Sequence, residues 1–149
     1  SWEEVSAIQG ATGWPLLHRA QYSKGYLYVL TIPENFSDLY QYPPEVLNRI
    51  RSVASQGLNL RLEGPTMVSL FLYDNGTFIV ESFLPESVTV RVVTGQKTDS
   101  IEDLLSGETI TGTVVQAFMA RNRQADPERS FEITVKPHSY RVFRLTGSK

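Results

Sequence analysis

The chain has 149 residues, 41% of them hydrophobic, with 14 basic against 16 acidic side chains and a formal charge of −2. This is one domain of ordinary size with apolar material enough for a core, and it lacks the basic footprint that nucleic acid or an anionic membrane requires. No apolar run approaches the ~18 residues of a spanning helix, Ser1-Trp-Glu-Glu4 is nothing like a signal peptide, and the absence of cysteine removes disulfides, thiolate metal sites and a cysteine nucleophile together.

Residues 1–13, with Gly10, Thr12 and Gly13, read as a lead-in from an upstream domain, and residues 14–149 as a single folded unit. Trp14 to Tyr22 is expected to be a strand, Ser23-Lys24-Gly25 a short turn with glycine available for positive φ, and Tyr26 to Ile32 the hairpin partner that Pro33 ends. Val46, Leu47 and Ile50 then recur at helical spacing behind Pro44, with Gly57 as the stop, which predicts one short helix over 44–51.

Leu58, Leu60 and Leu62 alternate with polar residues, and Gly64-Pro65 turns the chain into Met67 to Tyr73. Asp74-Asn75-Gly76-Thr77 is the strongest local signal, because Asn-Gly suits the two positive-φ positions of a two-residue hairpin turn leading into Phe78 to Phe83. Val88, Val90 and Val92 alternate in a further strand, and Ile110 to Phe118 forms another. Arg121 to Arg129 is almost devoid of apolar residues and reads as an exposed loop. Phe131, Ile133 and Val135 alternate with Glu132, Thr134 and Lys136, and Pro137-His138-Ser139 breaks the ladder. Arg141 to Leu145 is then expected to return as the partner strand. Short spacings and no repeated βα units make this an all-β chain, an antiparallel β-sandwich of about eight to nine strands with one short helix. A closed barrel is the rival.

No Gly-x-Ser-x-Gly elbow accompanies His18 and His138, which are the only histidines, and Gly10-Ala-Thr-Gly13 lacks the lysine and following helix of a phosphate loop. A glycosidase needs two carboxyl groups roughly 5–9.5 Å apart across a cleft. Asp38, Glu63, Asp74, Glu81, Glu102 and Asp103 supply carboxyls without a spacing that pairs them, and Glu102 and Asp103 fit a solvent-facing turn. Neither a catalytic residue nor a cofactor or metal ligand is assigned. Tryptophan and tyrosine rings stack on the C–H faces of sugars, so Trp14, Tyr26, Tyr28, Tyr40 and Tyr42 are the residues that would contact carbohydrate; the competing reading is that they cap a core with the hydroxyl wet.

The stretches Leu70-Phe-Leu-Tyr-Asp-Asn-Gly-Thr-Phe-Ile-Val-Glu-Ser82, Ile101-Glu-Asp-Leu-Leu-Ser-Gly-Glu108 and Phe131 to Leu145 resemble the C-terminal β-sandwich that follows the catalytic barrel in many bacterial glycoside hydrolases. The resemblance covers residues 58–145. It implies a non-catalytic module of a polysaccharide-degrading enzyme that packs on the upstream catalytic domain of the same chain and assists oligosaccharide binding, in a periplasmic or extracellular parent protein. An independent carbohydrate-binding module and a small free-standing hydrolase are the alternatives. A packing module should expose an apolar patch, and a binding module a row of aromatics.

Overall fold

A computed structural model describes residues 2–6, 15–95, 98–115 and 127–147. Trp14 lies outside them. The chain forms β1 (Trp2–Ser6), β2 (Pro15–Tyr22), β3 (Gly25–Leu30), a 3₁₀ turn η1 (Phe36–Gln41) and the helix α1 (Pro44–Ala54). The strands β4 (Leu60–Glu63), β5 (Val68–Leu72), β6 (Thr77–Ser82), β7 (Val88–Thr94) and β8 (Thr98–Asp103) follow. The last are β9 (Thr109–Thr111), β10 (Thr113–Val115), β11 (Glu128–Val135) and β12 (Ser139–Gly147).

Two antiparallel sheets, in the orders β10-β11-β7-β4 and β5-β6-β12-β8-β9, enclose the core, so the architecture is an open sandwich rather than a closed barrel. The alternation read from the sequence sets the faces. Val90, Val92, Phe131, Ile133 and Val135 of the first sheet are buried against Phe78, Val80, Ile101 and Phe143 of the second, with Val88 packed at the margin. Phe78 and Phe143 stack at 5.2 Å between ring centres, an arrangement worth about 1 kcal/mol beyond the area buried.

The chain changes sheets where glycine lets backbone press on the core. A Cβ on Gly64, between β4 and β5, would stand 2.7 Å from a Val90 methyl, and one on Gly112, between β9 and β10, 2.6 Å from the Phe131 ring. The single strand expected over 110–118 is divided there, because Gly112 carries the chain from the second sheet to the first.

Three further expectations are corrected. The closing strands β11 and β12 are not partners: β11 pairs with β7 and β10, β12 with β6 and β8. The corner at Pro137, with His138 at φ 45° and its amide on the Leu84 carbonyl, sends the chain across the sandwich. The β5–β6 loop is not a two-residue turn, since Leu72 pairs with Phe78 and the Tyr73 amide bonds the Thr77 carbonyl, leaving Asp74-Asn75-Gly76 as a three-residue loop. Only Gly76 has positive φ, at 77°, because Asn75 turns its side-chain oxygen onto the Thr77 amide instead. In the β2–β3 turn the positive φ falls on Ser23 and not on Gly25.

The first hairpin stays outside both sandwich sheets. With β1, from residues expected to be a lead-in, it makes a separate three-stranded sheet in the order β1-β2-β3. Helix α1 begins at Pro44 as read and runs to Ala54, with Gly57 at φ 88° just beyond it. Leu58 therefore belongs to the helix end, where its amide bonds the Ser55 carbonyl, and the strand starts two residues later.

Candidate functional site

On β4, β7 and β11 the residues that alternate with the core point outward, and Arg61, Glu63, Arg91 and Glu128 among them form a charged network. Arg61 meets the Glu128 carboxylate with two nitrogens at 2.6 Å each and touches Glu63 at 3.2 Å, while Arg91 closes on the other Glu63 oxygen at 2.9 Å. Burial alone would lower the Arg61 pKa, but the bonds and charge of Glu128 and Glu63 outweigh it and raise it. Above this network a cleft of about 310 Å³ opens between Glu45 and Asn48 of α1 and the Arg61, Glu63 and Arg91 side chains. Every carboxylate oxygen of Glu63 and Glu128 is occupied by arginine. Both carboxylates are thus committed to the guanidinium groups of the network.

The helix is pinned beside this network. Arg51 donates to the carbonyls of Gly64, Pro65 and Val68, and Asn48 accepts from the Gly64 amide. With carbonyls and no carboxylate against it, Arg51 has its pKa lowered by burial.

Asp103 is not in a solvent-facing turn. It ends β8 on the core side, 2% exposed, where its carboxylate accepts from Arg141 at 2.7 Å and from the amides of Leu105 and Ser106. Arg141 also reaches the Glu108 carboxylate and the Thr134 carbonyl. The Asp-Leu-Leu-Ser-Gly-Glu turn is therefore a knot tied around one buried ion pair. Of the other carboxyls, Asp38 accepts from the Asn35 side chain, Asp74 is exposed in the β5–β6 loop, and Glu81 and Glu102 are half-buried on β6 and β8. Among the described residues no group of three or more His, Cys, Asp and Glu side chains could hold a metal ion. No described helix is long and apolar enough to cross a membrane.

The aromatic residues singled out from the sequence lie in the three-stranded sheet and the segment after it, except Trp14, which is outside the described residues. Tyr26 and Tyr28 share one face of β3 with ring centres 6.5 Å apart and planes inclined at 53°. The Arg19 guanidinium lies 4.6 Å over the Tyr26 ring, and the Tyr28 hydroxyl meets Gln56 at 3.4 Å. Tyr40 is 53% exposed beside a groove of about 390 Å³ with Phe36, Met67 and Phe83. Tyr42 is half-buried at the end of η1, where burial and then Asp38 raise its pKa. The structure thus brings Tyr26 and Tyr28 together, and Tyr40 into a separate groove.

Sequence reasoning missed the opposite face of β3. Leu27 and Val29 stand there 53% and 50% exposed, across from Ala20 and His18 of β2. The run Tyr26 to Leu30 is apolar throughout, which suits a strand buried on both faces as well as one with an unpartnered face.

A family model described as "Probable glycosyl hydrolase, C-terminal domain" matches residues 59–145, more than half of the chain. The chain belongs to this family. The glycosyl hydrolase C-terminal domain so defined coincides with the nine strands of the sandwich, from β4 to β12, and with the Asp103–Arg141 knot. The three-stranded sheet, η1 and α1 precede it in the chain. No curated protein and no solved structure matches this chain.

Proposed function

We propose that this chain is a non-catalytic accessory module of a glycosyl hydrolase, and that it packs on the catalytic domain of the same polypeptide through its three-stranded sheet. The observation that carries the reading is the exposed apolar face of β3. Leu27 and Val29 project side by side, and Ile32 and Phe36 follow them, also exposed. Apolar surface gathered in one segment marks an interaction site, whereas scattered single residues do not. Membership in a family of C-terminal hydrolase domains supports a catalytic domain as the neighbour. The carboxylates with bonded arginines support a structural rather than a chemical role for the sandwich.

Sugar binding through Tyr26, Tyr28, Tyr40 and Tyr42 is the second reading, favoured by the exposure of Tyr26 and Tyr40. It has less support. A pyranose stacks on an open, flat ring face, and Tyr26 has Arg19 over one face and Tyr28 inclined beside it.

Calorimetry of the full-length enzyme carrying Leu27→Asp and Val29→Asp tests the packing reading. Two charges buried in an apolar interface should uncouple the domains, lowering the melting temperature of the catalytic domain by several degrees or splitting one transition into two. An unchanged thermogram would overturn it.

A further inference from the structure

In the β2–β3 ladder the Thr31 amide bonds the Leu16 carbonyl at 2.8 Å, and the register pairs Leu17 with Leu30 and Tyr22 with Gly25. Antiparallel strands alternate bonded and non-bonded pairs. Gly25, Leu27 and Val29 therefore turn their backbone groups toward β2, while Tyr26, Tyr28 and Leu30 turn theirs away. Nothing pairs with those outward amides and carbonyls among the described residues, because β3 is the last strand of its sheet.

Open edges are ordinarily blunted by charge, proline, bulges or short length. Other edges of this molecule are guarded in that way. The strand β4 carries Arg61 and Glu63, and β9 and β10 are three residues long, while β5, also without charge or proline, is five residues long and has the outward carbonyl of Val68 taken by Arg51. By contrast β3 reads Gly-Tyr-Leu-Tyr-Val-Leu, without charge or proline, and its ladder with β2 is regular.

We propose that the free edge of β3 accepts an extended apolar segment of the catalytic domain as a fourth strand of this sheet. The proposal rests on the packing reading above and specifies how that packing is made. Backbone bonds to Tyr26, Tyr28 and Leu30 fix the register. The incoming side chains lie beside Tyr26 and Tyr28 on one face and Leu27 and Val29 on the other, so they must be apolar on both. A segment of the same polypeptide is the occupant favoured over a second copy, because tethering gives an effective concentration of about millimolar. The family places a catalytic domain in that polypeptide, and the sheet lies on the N-terminal side of the matched region, toward it.

Residue-resolved hydrogen exchange on the full-length enzyme is the test, with Tyr28→Pro and Tyr28→Thr variants beside it. The amides of Tyr26, Tyr28 and Leu30 should exchange about a hundredfold more slowly than unprotected amides. Tyr28→Pro deletes an outward amide and no β2–β3 bond, so it should abolish the protection at Tyr26 and Leu30 while Leu27 and Val29 stay protected. Tyr28→Thr, which keeps the amide, should preserve it. Fast exchange of the three amides in the unmodified enzyme would overturn strand addition, and protection that grows with protein concentration would overturn it in favour of a second copy. If Leu27→Asp with Val29→Asp uncouples the domains while these amides exchange freely, packing stands and strand addition fails; if that pair changes nothing, the packing reading fails first.

Discussion

At Asp103 one carboxylate takes bonds from the Arg141 guanidinium and from two backbone amides while almost wholly shielded from water. Burial pushes its pKa up, and the Arg141 and amide bonds outweigh that and hold it below the usual carboxylate range. A carboxyl whose folded pKa lies below its unfolded value contributes stability that is fully present above about pH 4 and lost as the pH falls through the folded value. Asp103→Asn should cost about 3 kcal/mol near neutral pH, since it leaves Arg141 with the outer carboxylate of Glu108 as its remaining charge partner. Melting curves against pH check this: the gap between the two proteins should be widest above about pH 4 and narrow below it. A gap independent of pH would place the loss in packing instead. The sequence showed Asp103 inside a turn motif but not its charge partner, because Arg141 lies 38 positions away and is brought to it only by the β8–β12 pairing.

Among the elements, the β5–β6 hairpin shows where local chemistry suffices and where it stops. Asn-Gly marked the right place, and strand faces on both sides followed the alternation. The loop length did not follow, because Asn75 can satisfy the Thr77 amide with its side chain and thereby escape positive φ. Gly76 remains essential at φ 77°, with open space around its Cβ position, so conformational strain alone decides its substitutions. Gly76→Val should destabilise the domain by about 1–2 kcal/mol and Gly76→Asn by less, as thermal or urea unfolding would show. Equal losses for the two would mean that crowding, not φ, governs the site. Sheet membership was the least legible property. Alternation in β11 and β12 fixes which side chains face the core, yet it is identical for a hairpin and for a crossover, and the Pro137 corner decides between them. The first hairpin was legible as a hairpin for the same local reasons, while its separation from the sandwich depends on pairing with β1, whose five residues carry little pattern.

For the whole molecule, composition and strand patterning were enough for an antiparallel sandwich with one helix, and the turn motifs pointed to the C-terminal domains of glycosyl hydrolases. The exposed face and edge of β3 were not legible, because a buried strand and an unpartnered one share the same apolar run. The proposed role is one of surface rather than chemistry, and the most direct measurement of it is glycoside turnover by the purified 149-residue chain on a panel of chromogenic glycosides. It should hydrolyse none of them above the uncatalysed rate. Saturable turnover that disappears on Glu45→Gln or Glu63→Gln, with the melting temperature preserved, would contradict the account and make the cleft beneath α1 an active site.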